Sequence, residues 1–498
     1  MLYFPYLCIS IWVLGFPVRT SALNENVDVL VLLPQNSSYI FSISRVSPAI
    51  EYARQQLANG HFAGLNFNFQ YVSSECGVDA LFALVDRAPD ERPDLIFGPV
   101  CEYAAAPVVR VASHWNIPVM SAGALAYGFI NKNSEFSLLT RTAPSYMKMA
   151  ETFAVMSQHF GWRSVLLIYH DDKEERNCYF TVEGVHVLLE DDHDISVFVM
   201  DSREPLTYVD ELIKPMYEHE VVIMCTYADV VREIMLNAHR RRLTTSNRLF
   251  FNIELFNSSS YGDGSWRRGD RYDNEAKAAY AFLNTVTLLR STKPEFENFS
   301  MEMRKSYQKM GVDVCEINMF MEGFHDALLL YALALDDAMK SGYTKKNGKE
   351  ITQRMWNRTF EGIAGQVSMD ANGDRNGDFS VISMTNHETG SHETVMSYFG
   401  TNGSLQINPD FDPKLFTVQG APGPPSSQPT DQSSGGLGLS AVTGIIVGGL
   451  LGTALLMAFY FFRKNYRITI ERRTQREQCD GKHRQLREDS IRSNFSAA

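Results

Sequence analysis

Short apolar runs alternate with longer amphipathic segments through the first half of the chain. Residues 27–33, 67–72, 94–97 and 117–120 are rich in Val, Ile, Leu and Phe and nearly continuous, as parallel strands covered on both faces must be. Between them, residues 46–59, ended by Gly60, and residues 104–114, ended before Pro118, read as helices. The rhythm then restarts with strands predicted at 164–169, 195–199, 221–225 and 249–253 and helices near 179–190 and 228–241. Two α/β units in succession, roughly 120 residues each, predict an α/β fold of paired doubly wound lobes. A long helical stretch at 320–340 has to return to one of them, so the chain is expected to cross between lobes more than once. Lobe 1 is expected at about 27–143 with a return at 278–341, and lobe 2 at 144–277 with a return at 342–419. In open α/β sheets ligands sit beyond the carboxyl ends of the strands, and two such sheets facing one another make a cleft whose closure can report occupancy.

The pattern changes at both ends. Residues 441–462 form 22 consecutive uncharged, mostly apolar positions, about 33 Å as a helix and enough to cross a bilayer. Arg463, Lys464 and Arg467 follow at once, which puts the C-terminus in the cytoplasm by the positive-inside rule. Residues 1–22 read as a signal peptide, although no positive charge precedes the apolar run. The expected order is therefore signal peptide, extracellular domain 23–419, Pro/Gly/Ser-rich stalk 420–440, transmembrane helix 441–462 and a tail at 463–498. Sequons at Asn36, Asn257, Asn298, Asn357 and Asn402 precede the span and are candidate glycosylation sites. The 36 residues after the span are too few for a kinase or cyclase domain, so signalling would rest on recruitment.

Charge and cysteine usage support this topology. The formal net charge is −12, but residues 463–498 hold ten Lys and Arg against five Asp and Glu, leaving −17 on the remainder. An acidic body argues against nucleic-acid binding. Local pairing joins Cys76 to Cys101 and Cys178 to Cys225 in preference to other connectivities. Cys315 is left over, either an interchain bridge or a buried free thiol, and Cys479 faces a reducing cytoplasm.

Catalytic and metal patterns fail on inspection. The segment Asp370-Ala-Asn-Gly-Asp-Arg-Asn-Gly-Asp378 mimics a calcium loop, but Ser383 stands where a bidentate Glu is needed. His387-Glu388 and His392 have the wrong spacing for a helical zinc site. The chain has no G-x-S-x-G, P-loop or C-x-x-C pattern. Neither an enzyme nor a metal site is expected.

Phe97-Gly-Pro-Val-Cys-Glu-Tyr-Ala-Ala-Ala-Pro107, Asp171-Asp-Lys-Glu-Glu-Arg-Asn-Cys-Tyr-Phe180, Phe324-His-Asp-Ala327 and Trp356-Asn-Arg-Thr-Phe-Glu-Gly362 resemble the natriuretic peptide receptor ectodomain. Tyr466-Arg-Ile-Thr-Ile-Glu-Arg-Arg-Thr474 resembles the tail of the short-tailed clearance type. The resemblance implies lobes of periplasmic-binding-protein type I architecture. It implies a homodimer that binds one basic peptide hormone between two ectodomains and clears it by internalisation, with a tail contacting inhibitory heterotrimeric G proteins. It also implies a chloride ion as allosteric ligand, held by the Ser74 hydroxyl and the amides of Val100 and Cys101, where a loop entering a helix makes an anion nest. No other cofactor is implied. Tyr103, Arg110, Phe136, Tyr179 and Glu183 match hormone-contact positions. Tyr103 and Arg110 lie two helical turns apart and Tyr179 and Glu183 one, so each pair shares a face.

The tail residues Arg472, Arg473, Arg476, Lys482, Arg484 and Arg487 are the expected G-protein contacts, with anionic lipid as the alternative. The stalk lacks the cysteines that link clearance-type subunits, while Gly444, Gly448 and Gly452 offer a small-residue face for helix association. A small-molecule sensor of the same fold, binding amino acids inside one cleft, is the rival expectation.

Overall fold

The computed structural model describes residues 25–418 apart from 61, 88, 202–208, 258–260 and 313–315. The signal peptide, stalk, span and tail, with Cys315, therefore lie outside the described residues, and no described helix is long and apolar enough to cross a membrane.

The first lobe begins with β1 (Glu25–Leu33), α1 (Ile43–Asn59), β2 (Leu65–Ser73), α2 (Asp79–Val85), β3 (Leu95–Phe97), α3 (Glu102–His114), β4 (Val119–Ser121) and β5 (Leu139–Pro144). The chain then builds α4 (Tyr146–Phe160), β6 (Ser164–Asp171), α5 (Asn177–Leu189), β7 (Asp194–Asp201), α6 (Ile213–Glu218), β8 (Val221–Cys225), α7 (Ala228–Arg240), β9 (Leu249–Ile253), α8 (Asp273–Tyr280) and β10 (Leu283–Leu288). It returns through α9 (Pro294–Met310), α10 (Met319–Lys340) and α11 (Gly348–Met355). A small hairpin, β11 (Thr359–Gly362) and β12 (Gly365–Ser368), leads to β13 (Asp374–Arg375), β14 (Asp378–Asn386), β15 (Ser391–Phe399) and β16 (Ser404–Ile407).

Two main sheets result. The first runs β13-β5-β4-β3-β1-β2, all parallel. The second runs β16-β15-β14-β10-β9-β8-β6-β7, a parallel block extended by three antiparallel strands. The apolar runs that predict strands are buried at their centres: Leu30 to Leu33, Leu95 to Phe97, Val165 to Ile168 and Val221 to Met224 all lie at or near zero exposure. Continuous burial is what two-sided helix cover requires.

The expected lobe boundaries need correction. β10 falls inside 278–341, expected in lobe 1, yet it pairs in parallel with β9 in the second sheet. α11 and β13 fall inside 342–419, expected in lobe 2, yet α11 packs on α10 and β13 pairs with β5 in the first sheet. The sequence Leu-Asn-Thr-Val-Thr-Leu of β10 hides a buried strand because its asparagine is bonded internally. Asn284 donates to the Phe250 carbonyl at 3.1 Å and accepts from the Ser383 hydroxyl. The chain passes between lobes three times, after β5, after β10 and after β13. Two crossings touch at Gly377, where a Cβ would stand 2.6 Å from Pro144 Cβ.

Candidate functional site

The loop from β3 into α3 builds the first feature. Phe97 ends a fully buried strand, and Cys101 caps α3 in extended conformation. Cys101 is disulfide-bonded to Cys76, with Cα atoms 5.2 Å apart, which ties the loop after β2 to the head of α3. Gly123 presses on the Val100 backbone so closely that a Cβ would lie 2.3 Å from its carbonyl oxygen, and the Ala124 amide donates to that oxygen at 2.7 Å. Ser74 is 2% exposed, and its hydroxyl has no hydrogen-bond partner. A buried hydroxyl without a partner is costly. The Val100 and Cys101 amides make no described hydrogen bond either. These unsatisfied donors and a helix N-terminus are the chemistry that receives a desolvated anion. Glu102, next along, is buried and accepts from the Leu125 amide at 3.1 Å; burial pushes its carboxyl up to about 7.

The second feature joins the lobes. Tyr103 stands 51% exposed on α3. Arg176, at the head of α5 in a left-handed conformation (φ 56°), reaches it with a guanidinium–hydroxyl contact of 3.4 Å. The same guanidinium lies 3.9 Å from the Tyr179 ring centroid and pairs with Asp171 at 3.0 Å. Phe180 lies 5.9 Å from Tyr103, ring to ring. Glu183 follows one turn beyond Tyr179 and accepts from its hydroxyl; burial raises the Glu183 carboxyl above its ordinary value. Tyr103, Tyr179 and Glu183 are thus gathered around Arg176. Arg176 and Phe180 are the residues that sequence reasoning missed, because neither the charge nor the ring fits a helical-face argument at a helix start. The disulfide Cys178–Cys225, Cα atoms 5.3 Å apart, fixes α5 to the end of β8.

Arg110 sits two turns further along α3, and Phe136 lies in the loop between β4 and β5. Arg110 is exposed, pairs with Glu135 at 2.8 Å and lies 5.0 Å over the Phe136 ring. Phe136 departs from the expectation of a ligand contact: it is 4% exposed and packs on Phe129, centroids 4.8 Å apart. Its ring supports Arg110 from below, since a large apolar ring in a loop beside the core gains more from burial than from display.

A row of rings runs from the first lobe into the second. Phe41 meets Phe320 at 5.1 Å, Phe320 meets Phe256 at 5.0 Å, and Tyr261, Tyr227 and His170 continue the chain into the second lobe. Phe256 holds a left-handed backbone (φ 64°) and is 6% exposed. A non-glycine residue there is strained by about 1–3 kcal/mol, which the packing of its ring offsets. The calcium-like segment is likewise committed to the chain itself. Asp370 Oδ1 accepts from the amides of Asn372 and Asp374, both at 2.9 Å, and Asp374 pairs with Arg141 and Lys132. Among the described residues no acidic, His or Cys cluster could hold a metal. Asn36, Asn298, Asn357 and Asn402 are exposed, while the Asn257 side chain lies outside what is described. The tail residues Arg472, Arg473, Arg476, Lys482, Arg484 and Arg487 also lie outside the described residues.

Two doubly wound lobes joined by three crossings, with an aromatic and charged surface where they meet, have the architecture of a two-lobed ligand-binding module. Residues 45–387 match the family described as receptor family ligand binding region. A solute-binding protein of an ABC transporter from R. palustris, solved in complex with benzoate, shares the fold at a TM-score of 0.54 and 14% identity, over 77% of this chain and 98% of that one. The chain is 55% identical to atrial natriuretic peptide receptor 3 of Homo sapiens, over 95% of this chain and 91% of that one. It is 54% identical to its Mus musculus counterpart, over 96% and 93%. It is 31% identical to atrial natriuretic peptide receptor 2 of Rattus norvegicus, over 76% of this chain and 38% of that one. The chain belongs to the natriuretic peptide receptor family. Its near full-length similarity is to receptor 3, and it is a receptor rather than an enzyme.

Proposed function

We propose that this protein is a single-pass cell-surface receptor that takes up natriuretic peptides between the ectodomains of a homodimer and clears them by internalisation. Its extracellular part is glycosylated, and its tail contacts inhibitory heterotrimeric G proteins through the basic clusters at Arg472–Arg476 and Lys482–Arg487. The carrying observation is 55% identity over 95% of the chain to a receptor whose name states an atrial natriuretic peptide as ligand. The surface around Arg176 supports the peptide-contact role. Tyr103 and Tyr179 present aromatic area, and Glu183 supplies a carboxylate for a cationic peptide. Arg110 belongs to the same exposed side of α3, positioned by Phe136. The acidic charge of −17 outside the tail would steer a basic hormone inward.

Three exposed apolar residues on α2, Val78 at 60%, Phe82 at 53% and Val85 at 40%, recur at helical spacing and favour a second copy as their cover. Chloride at Ser74, Val100 and Cys101 acts as an allosteric ligand: it ties the head of α3, which carries Tyr103 two residues on.

The test is binding of labelled atrial natriuretic peptide to the full chain in detergent micelles, with chloride present and then replaced by gluconate. The expected result is saturation at two chains per peptide, weakened without chloride. Absence of saturable binding refutes the receptor reading. Binding indifferent to chloride refutes the anion site alone.

A further inference from the structure

We propose that the first lobe carries a second anion site, built for a phosphate or sulfate group on a small organic molecule, under the loop that joins α2 to β3. A cavity of about 410 Å³ lies there between β1, the edge strand β2 and the loop. Its volume is that of a small-ligand pocket rather than a bare ion site. Arg87 and Arg92 line it, both partly buried, and the Nε of each is buried with no hydrogen-bond partner. Neither guanidinium is in a described ion pair, whereas the neighbouring cation Lys346 is held by Asp94 at 2.6 Å. Arg92 is instead stacked 4.0 Å over the Trp115 ring, which fixes its plane and leaves its N–H edge for an acceptor.

Among the described residues, the acids lining the cavity form no ion pair with either arginine. Glu91 is exposed and pairs with neither arginine. The Asp28 carboxylate accepts from the Asn68 amide at 3.1 Å. Both arginines line one cavity without an ion-pair partner, and two such guanidinium groups favour an oxyanion that accepts several hydrogen bonds at once. The Asn68 and Gln70 side chains on β2 add neutral hydrogen-bonding groups for the organic part. The Ser74 nest uses a hydroxyl and backbone amides without a cation, so the two sites differ in the ion they favour: a weakly basic monatomic anion there, a tetrahedral oxyanion here.

The test is calorimetric titration of inorganic phosphate, inorganic sulfate, methyl phosphate and methyl sulfate into the full chain in detergent micelles at saturating chloride. Wild type is compared with Ser74→Ala, Arg87→Gln, Arg92→Lys and Arg87→Gln/Arg92→Gln. One saturable site is expected in wild type and in Ser74→Ala, at least tenfold weaker in Arg87→Gln and weaker again in the double variant. Tighter uptake of a methyl ester than of the free ion would support the organic moiety, and the reverse would overturn that part of the proposal. Uptake unchanged in Arg87→Gln, or no saturable uptake by a wild-type sample of normal melting temperature, overturns the site itself. Since Arg92 packs on Trp115, the outcome is read from Arg87→Gln alone where the Arg92 variants melt early.

Discussion

Replacing Asp374 with Asn is the perturbation with the most calculable outcome. Asp374 comes from the two-residue strand β13 and enters the first lobe beneath β5. Its carboxylate accepts from Arg141 Nε at 2.7 Å, Arg141 NH2 at 2.6 Å and Lys132 Nζ at 3.0 Å, and the three side chains are 1–5% exposed. Burial opposes ionisation, but the Arg141 charge and then the Lys132 charge outweigh it and hold the carboxyl well below the usual carboxylate range. The Asn variant keeps the shape and leaves two buried cations with no counter-ion, a loss of about 3–5 kcal/mol. At roughly 2 °C per kcal/mol for a large domain, the melting temperature should fall by about 6–10 °C. The control is Lys132→Met. It leaves the bidentate Arg141–Asp374 pair balanced and removes a lysine that burial already pushes down to about 8, so it should cost far less. Both variants are read by differential scanning fluorimetry at pH 7. Because the folded-state value of Asp374 is depressed, its contribution is fully present above the unfolded value of about 3.9 and is lost as pH falls below it. The wild type should therefore shed stability between about pH 4 and pH 2 more steeply than the Asn variant. Equal losses in the two variants, or parallel pH curves, would refute the charge-balance reasoning.

Ser74→Ala should leave peptide affinity at zero chloride unchanged and abolish the rise on adding chloride; a surviving chloride response would move the ion elsewhere. Phe82→Asp should weaken self-association of the full chain at least tenfold by placing a charge on the apolar stripe of α2, as sedimentation would report, and unchanged association would assign the dimer to another face. Arg176→Ala should lower peptide affinity roughly tenfold, about 1.4 kcal/mol, by releasing Tyr103 and Tyr179. Tighter binding would mean that Arg176 repels the peptide rather than positioning its neighbours.

The parts of the molecule legible in the sequence are those where local pattern and tertiary environment agree. Residues 221–225 and 249–253, read as buried strands from continuous apolar runs, are β8 and β9 to the residue. The predicted helix at 320–340 differs from α10 by one position. The illegible parts are those whose partners are distant. β13 has too few residues to carry any period, and its place is fixed by an aspartate that meets two cations more than two hundred residues earlier. β10 looks polar because the partners of Asn284, which are Phe250 and Ser383, lie on strands distant in sequence. In the site, the family resemblance singled out Tyr103, Tyr179 and Glu183, which gather around Arg176, but it did not single out Arg176, whose direction depends on a left-handed turn. It also could not tell that Phe136 faces inward.

The position of Asp374 has a consequence for biogenesis. Arg141 is made 233 residues before the carboxylate that neutralises it. At about 5–20 residues per second of translation, the nascent first lobe waits roughly 10–50 s with two cations in its interior and one sheet edge unpaired. During that interval it is neither finished nor independent, and the second lobe is synthesised within the wait. A substitution at Asp374 would leave both cations uncompensated after synthesis ends, so its effect should appear first as a lower yield of folded chain.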